Sequence, residues 1–549
     1  MSKVAHRLVF LSLALNAVSL EGQQAAPEIG SIRREDLRAD LFFLAGDAMG
    51  GRLTGTWENR LAAEFIKARF QRLGLAPAGP GGSYYQPFNL MTAVLGENNR
   101  LRVALSERLE LRRRAGQDFY PHRFSASASV SGPLVFAGFG IAEPRFGHDD
   151  YRGGQIRGSV VLVLDHEPGE RDPESPFDGL VTSQAASPLE KALAAQQRGA
   201  VAILFVADVH NHPGPENFDA QARDYWPPQG PRIERYTLAS WAERVRIPAV
   251  QISRALAEAL VSGTGRSLLE LAAASEARGG FTPVAVPGVR VEIETEVQRR
   301  IVTERNVVAL LEGSDPRLKD EWVIICAHFD HNGADEDRIY NGADDDGSGT
   351  VGLLEIAEAY ALAASRGQRP RRSVLFAAWN AEERGLLGAW AYVENPLHPL
   401  NRTVAVLNMD MIGRDEEVPE GGGERFRGLE VQAAESNKNA INILGYSRSP
   451  ELWELVREAN GGIGLELRAR YDNNPSNLLR RSDHWPFLQR GVPAVFFHTG
   501  LHPDYHTVYD RPEKINYEKL ERIVRLVYQT SWELAQREGR PRMAEREAR

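Results

Sequence analysis

Between residues 306 and 500, short apolar runs alternate with helix-like stretches, and several of those runs end in histidine or carboxylate residues. The runs are NVVALLEG (306–313), WVIICAHFD (322–330), SVLFAAWNA (373–381), VAVLNMDMI (404–412) and PAVFFHTG (493–500). Helical periodicity intervenes at GTVGLLEIAEAYALAAS (349–365) and ELWELVREA (451–459), and returns at NYEKLERIVRLVYQTSWELAQ (516–536). A strand that is apolar along its whole length has to be covered on both faces. The pattern therefore predicts an α/β fold, a mostly parallel central sheet flanked by helices. In such sheets ligands collect beyond the carboxyl ends of the strands.

At 549 residues the chain is too long for one core, and its length corresponds to roughly three to four domain-sized units. Residues 1–22 read as a signal peptide: Lys3, His6 and Arg7 precede the apolar run LVFLSLALNAVSL (8–20), which is too short to span a bilayer. Export to the periplasm or the cell exterior follows from that reading, with no stable membrane span. Residues 23–127 form an N-terminal segment, with a predicted helix at 58–75 and an Arg-rich, strand-like stretch at 97–125. Residues 128–288 alternate β-rich runs with helices and end at the Gly/Pro-rich RGGFTPVAVPG, as a separate inserted module would. Residues 289–549 carry the βαβ pattern.

A net charge of −9 excludes nucleic acid as the main partner, because phosphate binding needs a basic face. The single cysteine, Cys326, excludes an internal disulfide and lies in an apolar run, as a buried structural thiol does. The histidines of DVHNHPGPENFD (208–219) lack a companion carboxylate pattern and read as a solvated loop.

Polar signals recur at or just after the strand ends: His328 and Asp330, the triplet Asp344-Asp345-Asp346, the pair Glu382-Glu383, Asp410, and late in the chain His506. Singly, each is explained as a helix cap or a packed polar residue. Together they form a nitrogen- and carboxylate-rich set at one edge of one sheet. Two histidines and three carboxylates suit zinc, with cobalt or manganese as substitutes. Two ions need a bridging carboxylate, and a further carboxylate has to move the proton of the attacking water.

In order, His328-Phe329-Asp330, Asp345-Asp346-Gly347-Ser348-Gly349, Glu382-Glu383, Asp410-Met411 and Tyr505-His506 resemble the motifs of the M28 family of co-catalytic zinc peptidases. The likeness covers about 300–536 and the leading segment 51–79. The 128–288 module resembles the protease-associated (PA) domain. The resemblance implies a zinc-exopeptidase fold with a β-rich PA insertion, two zinc ions per chain and peptide substrates. It implies Asp345 as the bridging ligand, His328 and Asp410 at one ion, Glu383 and His506 at the other, and Glu382 as general base and acid. It places Asp330 and Asp346 behind the ligands, Asp330 orienting His328 through its other ring nitrogen, and Tyr505 near the developing oxyanion. It implies a cis peptide bond between Asp345 and Asp346. Ser482, Asp483 and His484 in RRSDHWPF are implied to support the substrate pocket or to cap a helix. Asp344, which has no implied role, is expected to be solvated or bonded within its loop. An aminopeptidase is the leading activity. A glutamate carboxypeptidase, with Arg480 and Arg481 clamping substrate carboxylates, is the alternative. A glutaminyl cyclase or a non-catalytic receptor of this fold would lack ligands that are all present here.

Overall fold

The apolar runs become neighbouring strands of one large sheet. The computed structural model describes residues 24–106 and 109–545, so the leader expected at 1–22 lies outside the described residues. The sheet runs Thr237–Leu238, Tyr85–Leu95, Val297–Leu311, Ser373–Trp379, Trp322–His328, Thr403–Met409, Ala494–His498, Ala440–Leu444 and Glu466–Arg468. Its centre is parallel: Ser373–Trp379, Trp322–His328, Thr403–Met409 and Ala494–His498 all point the same way. Antiparallel neighbours, Val297–Leu311 and Ala440–Leu444, close the parallel block on either side.

Helices cover both faces, which is why the central strands tolerate apolar residues throughout. On one face pack Arg34–Leu44, Trp57–Arg72, Gly349–Ser365 and Tyr517–Gln536, through Leu41, Phe70, Leu353 and Tyr528 among others. On the other lie Leu387–Glu394 and His484–Gln489, burying Tyr392 and Phe487 against Trp379. Cys326 belongs to that second core, and burial holds its thiol well above the usual range. Among the described residues no helix is long and apolar enough to cross a membrane.

A second sheet is built from Leu109–Arg114, Arg100–Ser106, Val284–Thr295, Ala128–Phe136, Val160–Leu164, Ala202–Val206, Ala249–Ile252 and Phe119–Pro121, in that spatial order. It takes strands from both sides of the 128–288 span, so module boundaries at 127/128 and 288/289 cut through it. Leu101 and Val103 are buried with Val291 and Ile293 in one core, and charges pair across the same strands on the exposed face. Arg100 opposes Glu294 and Arg102 opposes Glu292, each arginine lying 3.3 Å from the facing carboxylate. The Arg-rich stretch thus belongs to this sheet and not to the N-terminal segment of the first. From this second unit Thr237–Leu238 reaches across to pair with Tyr85–Leu95 at the edge of the large sheet.

The segment before the second sheet is tied to the strand ends by buried amides. Thr56 caps helix Trp57–Arg72 by accepting from the Asn59 backbone N–H. The Asn59 side chain donates to the Asn380 amide oxygen at 3.0 Å and accepts from the Asn380 amide nitrogen at 2.9 Å. The Asn380 backbone N–H in turn donates to Asn306 Oδ1 at 3.1 Å. Removing one member leaves the others buried and unsatisfied. Asn59→Ala is expected to destabilise the chain by roughly 1–3 kcal/mol, read as a lower urea midpoint with an unchanged slope.

Candidate metal centre

The strand-end residues converge at the carboxyl edge of the parallel block. Trp322–His328 delivers His328, the turn after Ser373–Trp379 delivers Glu382 and Glu383, and Thr403–Met409 delivers Asp410. The Asp triplet opens helix Gly349–Ser365, and the Asp345–Asp346 peptide is cis.

Asp345 stands between two groups. Its Oδ1 lies 3.3 Å from His328 Nε2, and its Oδ2 lies 2.9 Å from His506 Nε2. His328 Nε2 is also 3.6 Å from Asp410 Oδ2 and 3.7 Å from Glu382 Oε2. On the opposite side His506 Nε2 is 3.2 Å from Glu383 Oε2. One ligand atom each of His328, Glu382 and Asp410 falls within 4.8 Å of the others, and the same holds for His331, Asp345 and Glu383.

His331 is the residue that sequence reasoning missed. It lies in the same CAHFDHNG stretch as His328, is fully buried, and places Nδ1 2.7 Å from Glu383 Oε1 and 3.8 Å from Asp345 Oδ2. Asn332 donates to the same Glu383 oxygen at 3.0 Å. His506 therefore faces one oxygen each of Asp345 and Glu383, while His331 stands against the other Glu383 oxygen with its nitrogens left without a hydrogen bond. The proximity of two histidines three residues apart was the available signal.

The electrostatics call for cations. Despite burial, His506 and His331 hold the Glu383 carboxyl well below its usual range. Burial opposes it, yet Glu383 and Asp345 raise the His506 imidazole to about 10. Burial, with Asp410 adding to it against His328, pushes Glu382 well above the carboxylate range. His328 Nε2, Asp345 Oδ2 and both ring nitrogens of His331 are buried without a hydrogen bond to any described residue. Clustered imidazole and carboxylate donors with lone pairs left over fit divalent metal ions of the zinc type.

The neighbouring carboxylates are occupied with backbone. Asp346 accepts from the N–H groups of His328 (3.0 Å) and Gly349 (2.8 Å). Asp510 accepts from those of Asp344 and Asp345. The Asp330 carboxylate does not orient His328 as expected. It accepts from the Glu382 N–H at 3.0 Å and the Thr54 hydroxyl at 3.1 Å. His328 Nδ1 bonds instead to the Asp330 backbone carbonyl at 3.1 Å, because that carbonyl lies closer than the carboxylate, 3.7 Å away. Asp344 is not solvated: it is fully buried, its carboxylate accepts from the Gly413 N–H at 2.6 Å and sits 3.2 Å from His502 Nε2, and its carbonyl accepts from the Ser348 hydroxyl of its own loop at 2.8 Å.

A cavity of about 460 Å³ opens over the centre, lined by Asp345, Glu382, Glu383, Asp410, Tyr505 and His506 together with Arg480, Arg481, Trp485 and Trp390. Gln184, Ser187 and Trp241 of the second unit complete its wall. Tyr505 stacks on His506 with ring centroids 3.9 Å apart. Ser482, Asp483 and His484 do not line the cavity; all three are fully buried beneath it. Ser482 accepts from the Asn408 amide at 2.7 Å. Asp483 makes no side-chain cap to helix His484–Gln489, and burial drives its carboxyl well up and the His484 imidazole down to about 3. The helix starts directly after Asp483 and carries these side chains inward.

Residues 306–531 match the description Peptidase family M28. That region is an M28 peptidase domain. Among similar proteins, a probable glutamate carboxypeptidase of Zea mays is 27% identical over 493 residues, 84% of this chain and 60% of that one. An aminopeptidase of Bacillus subtilis (strain 168) is 28% identical over 247 residues, 44% of this chain and 47% of that one. The chain thus spans less than two thirds of either relative. Among solved structures, an aminopeptidase from Aneurinibacillus sp. strain AM-1 is similar at 18% identity and a TM-score of 0.49, covering 94% of this chain and 98% of that one.

Within the M28 domain the converging loops are held by a residue from outside it. Arg52 is fully buried and donates to the carbonyls of Phe329, Leu44, Asn341 and Gly342 at 2.7–2.9 Å. It joins the loop after His328 to the loop before Asp345. A lysine retains the charge but not the planar fork. Arg52→Lys is expected to cost roughly 1–3 kcal/mol and to lower the zinc retained after dialysis, measured by urea titration and elemental analysis.

Proposed function

We propose that the chain is a di-zinc exopeptidase that removes residues from the amino ends of peptides. The observation that carries this reading is Asp345, whose two carboxylate oxygens face two separate nitrogen and carboxylate groups. In this reading His328 and Asp410 would hold one ion and Glu383 and His506 the other, with Asp345 as the ligand common to both. When bound, such a pair polarises the scissile carbonyl and acidifies a shared water to a pKa of about 7. Glu382, beside the bridge but not part of it, takes the water proton on a carboxylate oxygen and passes it to the leaving amine nitrogen. The Asp330 carboxylate fixes the Glu382 backbone for that transfer, and the Asn332 amide, which donates to Glu383, keeps that carboxylate from swinging. Tyr505 lines the cavity and stacks on His506, which supports a role for its hydroxyl as donor to the developing oxyanion.

A second reading, a carboxypeptidase for acidic C-terminal residues, is favoured by two arginines on the cavity wall. Arg480 is already engaged: it donates to the Thr182 carbonyl at 2.6 Å and lies over the Trp485 ring. A clamp on two carboxylates would rest on Arg481 alone, which supports the aminopeptidase reading.

Three measurements test these assignments. Glu382→Gln is expected to keep the zinc content of the unsubstituted chain while hydrolysis falls by at least about 10²-fold; full activity in this variant would overturn the mechanism. A chelator is expected to abolish hydrolysis, and zinc, cobalt or manganese to restore it. Digestion of a peptide library, read by mass spectrometry, is expected to show ladders shortened from the amino end; ladders from the carboxyl end would establish the second reading.

We further propose export, on the basis of the charged start and apolar run at 8–20. The exported protein is expected to begin near residue 22 when its amino terminus is sequenced.

A further inference from the structure

The second sheet carries a nitrogen and carboxylate cluster of its own. Strands Val160–Leu164 and Ala202–Val206 run parallel in register, and the loops leaving their carboxyl ends bear His166 and Glu170 on one side and His212 on the other. Glu170 lies between the two imidazoles, with Oε2 3.1 Å from His166 Nδ1 and Oε1 2.6 Å from His212 Nε2. The rings stack with centroids 4.2 Å apart and planes at 27°. One donor atom from each residue lies within 4.8 Å of the other two. The companion carboxylate absent from the sequence around His212 is thus supplied by a neighbouring strand.

Two features separate this cluster from an ordinary ion-paired triad. His212 Nε2 is screened from solvent and makes no hydrogen bond to any described residue, although a Glu170 oxygen is 2.6 Å away. Its axis therefore misses that oxygen, and nitrogen and oxygen are left with lone pairs to share with a third partner. The stacking adds to this. The stacked rings and the carboxylate between them together supply the two-histidine, one-carboxylate donor set of zinc sites that leave a position to water.

The loops are also held in place for the purpose. Asp208 accepts from the N–H groups of His210 and Asn211 at 2.9 and 3.3 Å. Arg254 donates to the His212 carbonyl at 2.8 Å. Gly169, next to Glu170, donates to Glu276 at 2.7 Å.

We propose that His166, Glu170 and His212 bind a divalent ion of the zinc class at a site separate from the M28 centre, with water completing the coordination. The ion would tie together the loops that follow the two strands. Glu167 in the first loop accepts from the Ser183 N–H at 2.8 Å, and Ser183 precedes Gln184 on the cavity wall. The tether thus reaches a segment that shapes the substrate cavity. With side chains of His166 and His212 43% and 38% exposed, the ion is accessible to exchange.

The test is a difference in metal content. The full-length protein and its His166→Ala/His212→Ala double variant are dialysed against the same zinc buffer and analysed for zinc and for chain concentration. The double variant is expected to hold about one zinc fewer per chain while peptide hydrolysis persists. Because both proteins share the M28 centre, its own occupancy cancels. Glu170→Gln, which preserves side-chain volume, is expected to show the same loss and serves if the double variant does not fold. Asp345→Asn titrated with zinc by calorimetry is expected to retain a binding event that His166→Ala removes. Equal zinc content in wild type and Glu170→Gln, or a titration indifferent to His166, would overturn the site.

Discussion

Repulsion among buried carboxylates is the constraint around which this molecule is organised. Asp345, Glu382, Glu383 and Asp410 meet at one strand edge, and like charges so close cannot all remain ionised without compensation. Two kinds of carboxylate share the work. Asp330, Asp346 and Asp510 spend their lone pairs on backbone N–H groups and so become fasteners for the loops around them. Asp345 and Glu383 meet imidazoles instead and keep lone pairs in reserve, which is the electrostatic condition for holding cations. Arg52 completes the arrangement as a buried cation that bonds only to carbonyls, joining loops that the sheet alone would leave apart.

The second unit does more than sit beside the M28 domain. Its Thr237–Leu238 strand extends the large sheet, and Gln184, Ser187 and Trp241 form part of the cavity wall. Trp241 packs edge-on to Trp390 of the M28 domain, centroids 5.8 Å apart. The cavity is therefore a composite, its wall shared by residues of both units. The parallel strands of each sheet present polar residues at their carboxyl edges, an outcome of the same physics: apolar strands leave only their ends for chemistry.

Much of this was legible in the chain itself. The helix at 349–365 occupies the expected residues, and the apolar runs became the central strands because no other placement covers both of their faces. The carboxylates and histidines appear in the expected order along one edge. Less legible were contacts between segments remote in sequence. Asp344 reads as solvated or bonded within its loop; it does bond there, to Ser348, but its side chain is buried against Gly413 and His502. The Arg-rich stretch at 97–125 finds its meaning in glutamates nearly two hundred residues later. Ser482, Asp483 and His484 read as pocket residues, yet the direction of one short helix buries them.

By itself the sequence determined the kind of chemistry: periodicity and composition are local properties, and they dictate strands, helices and which residue types stand at the strand ends. Only the tertiary structure decided which donors share a point in space. The two oxygens of Asp345 face different groups, His331 comes to stand beside Glu383, and Glu170 meets His212 across neighbouring strands. Each of these depends on how strands are ordered and how loops return. Those choices follow from packing the whole core and not from any local run of residues.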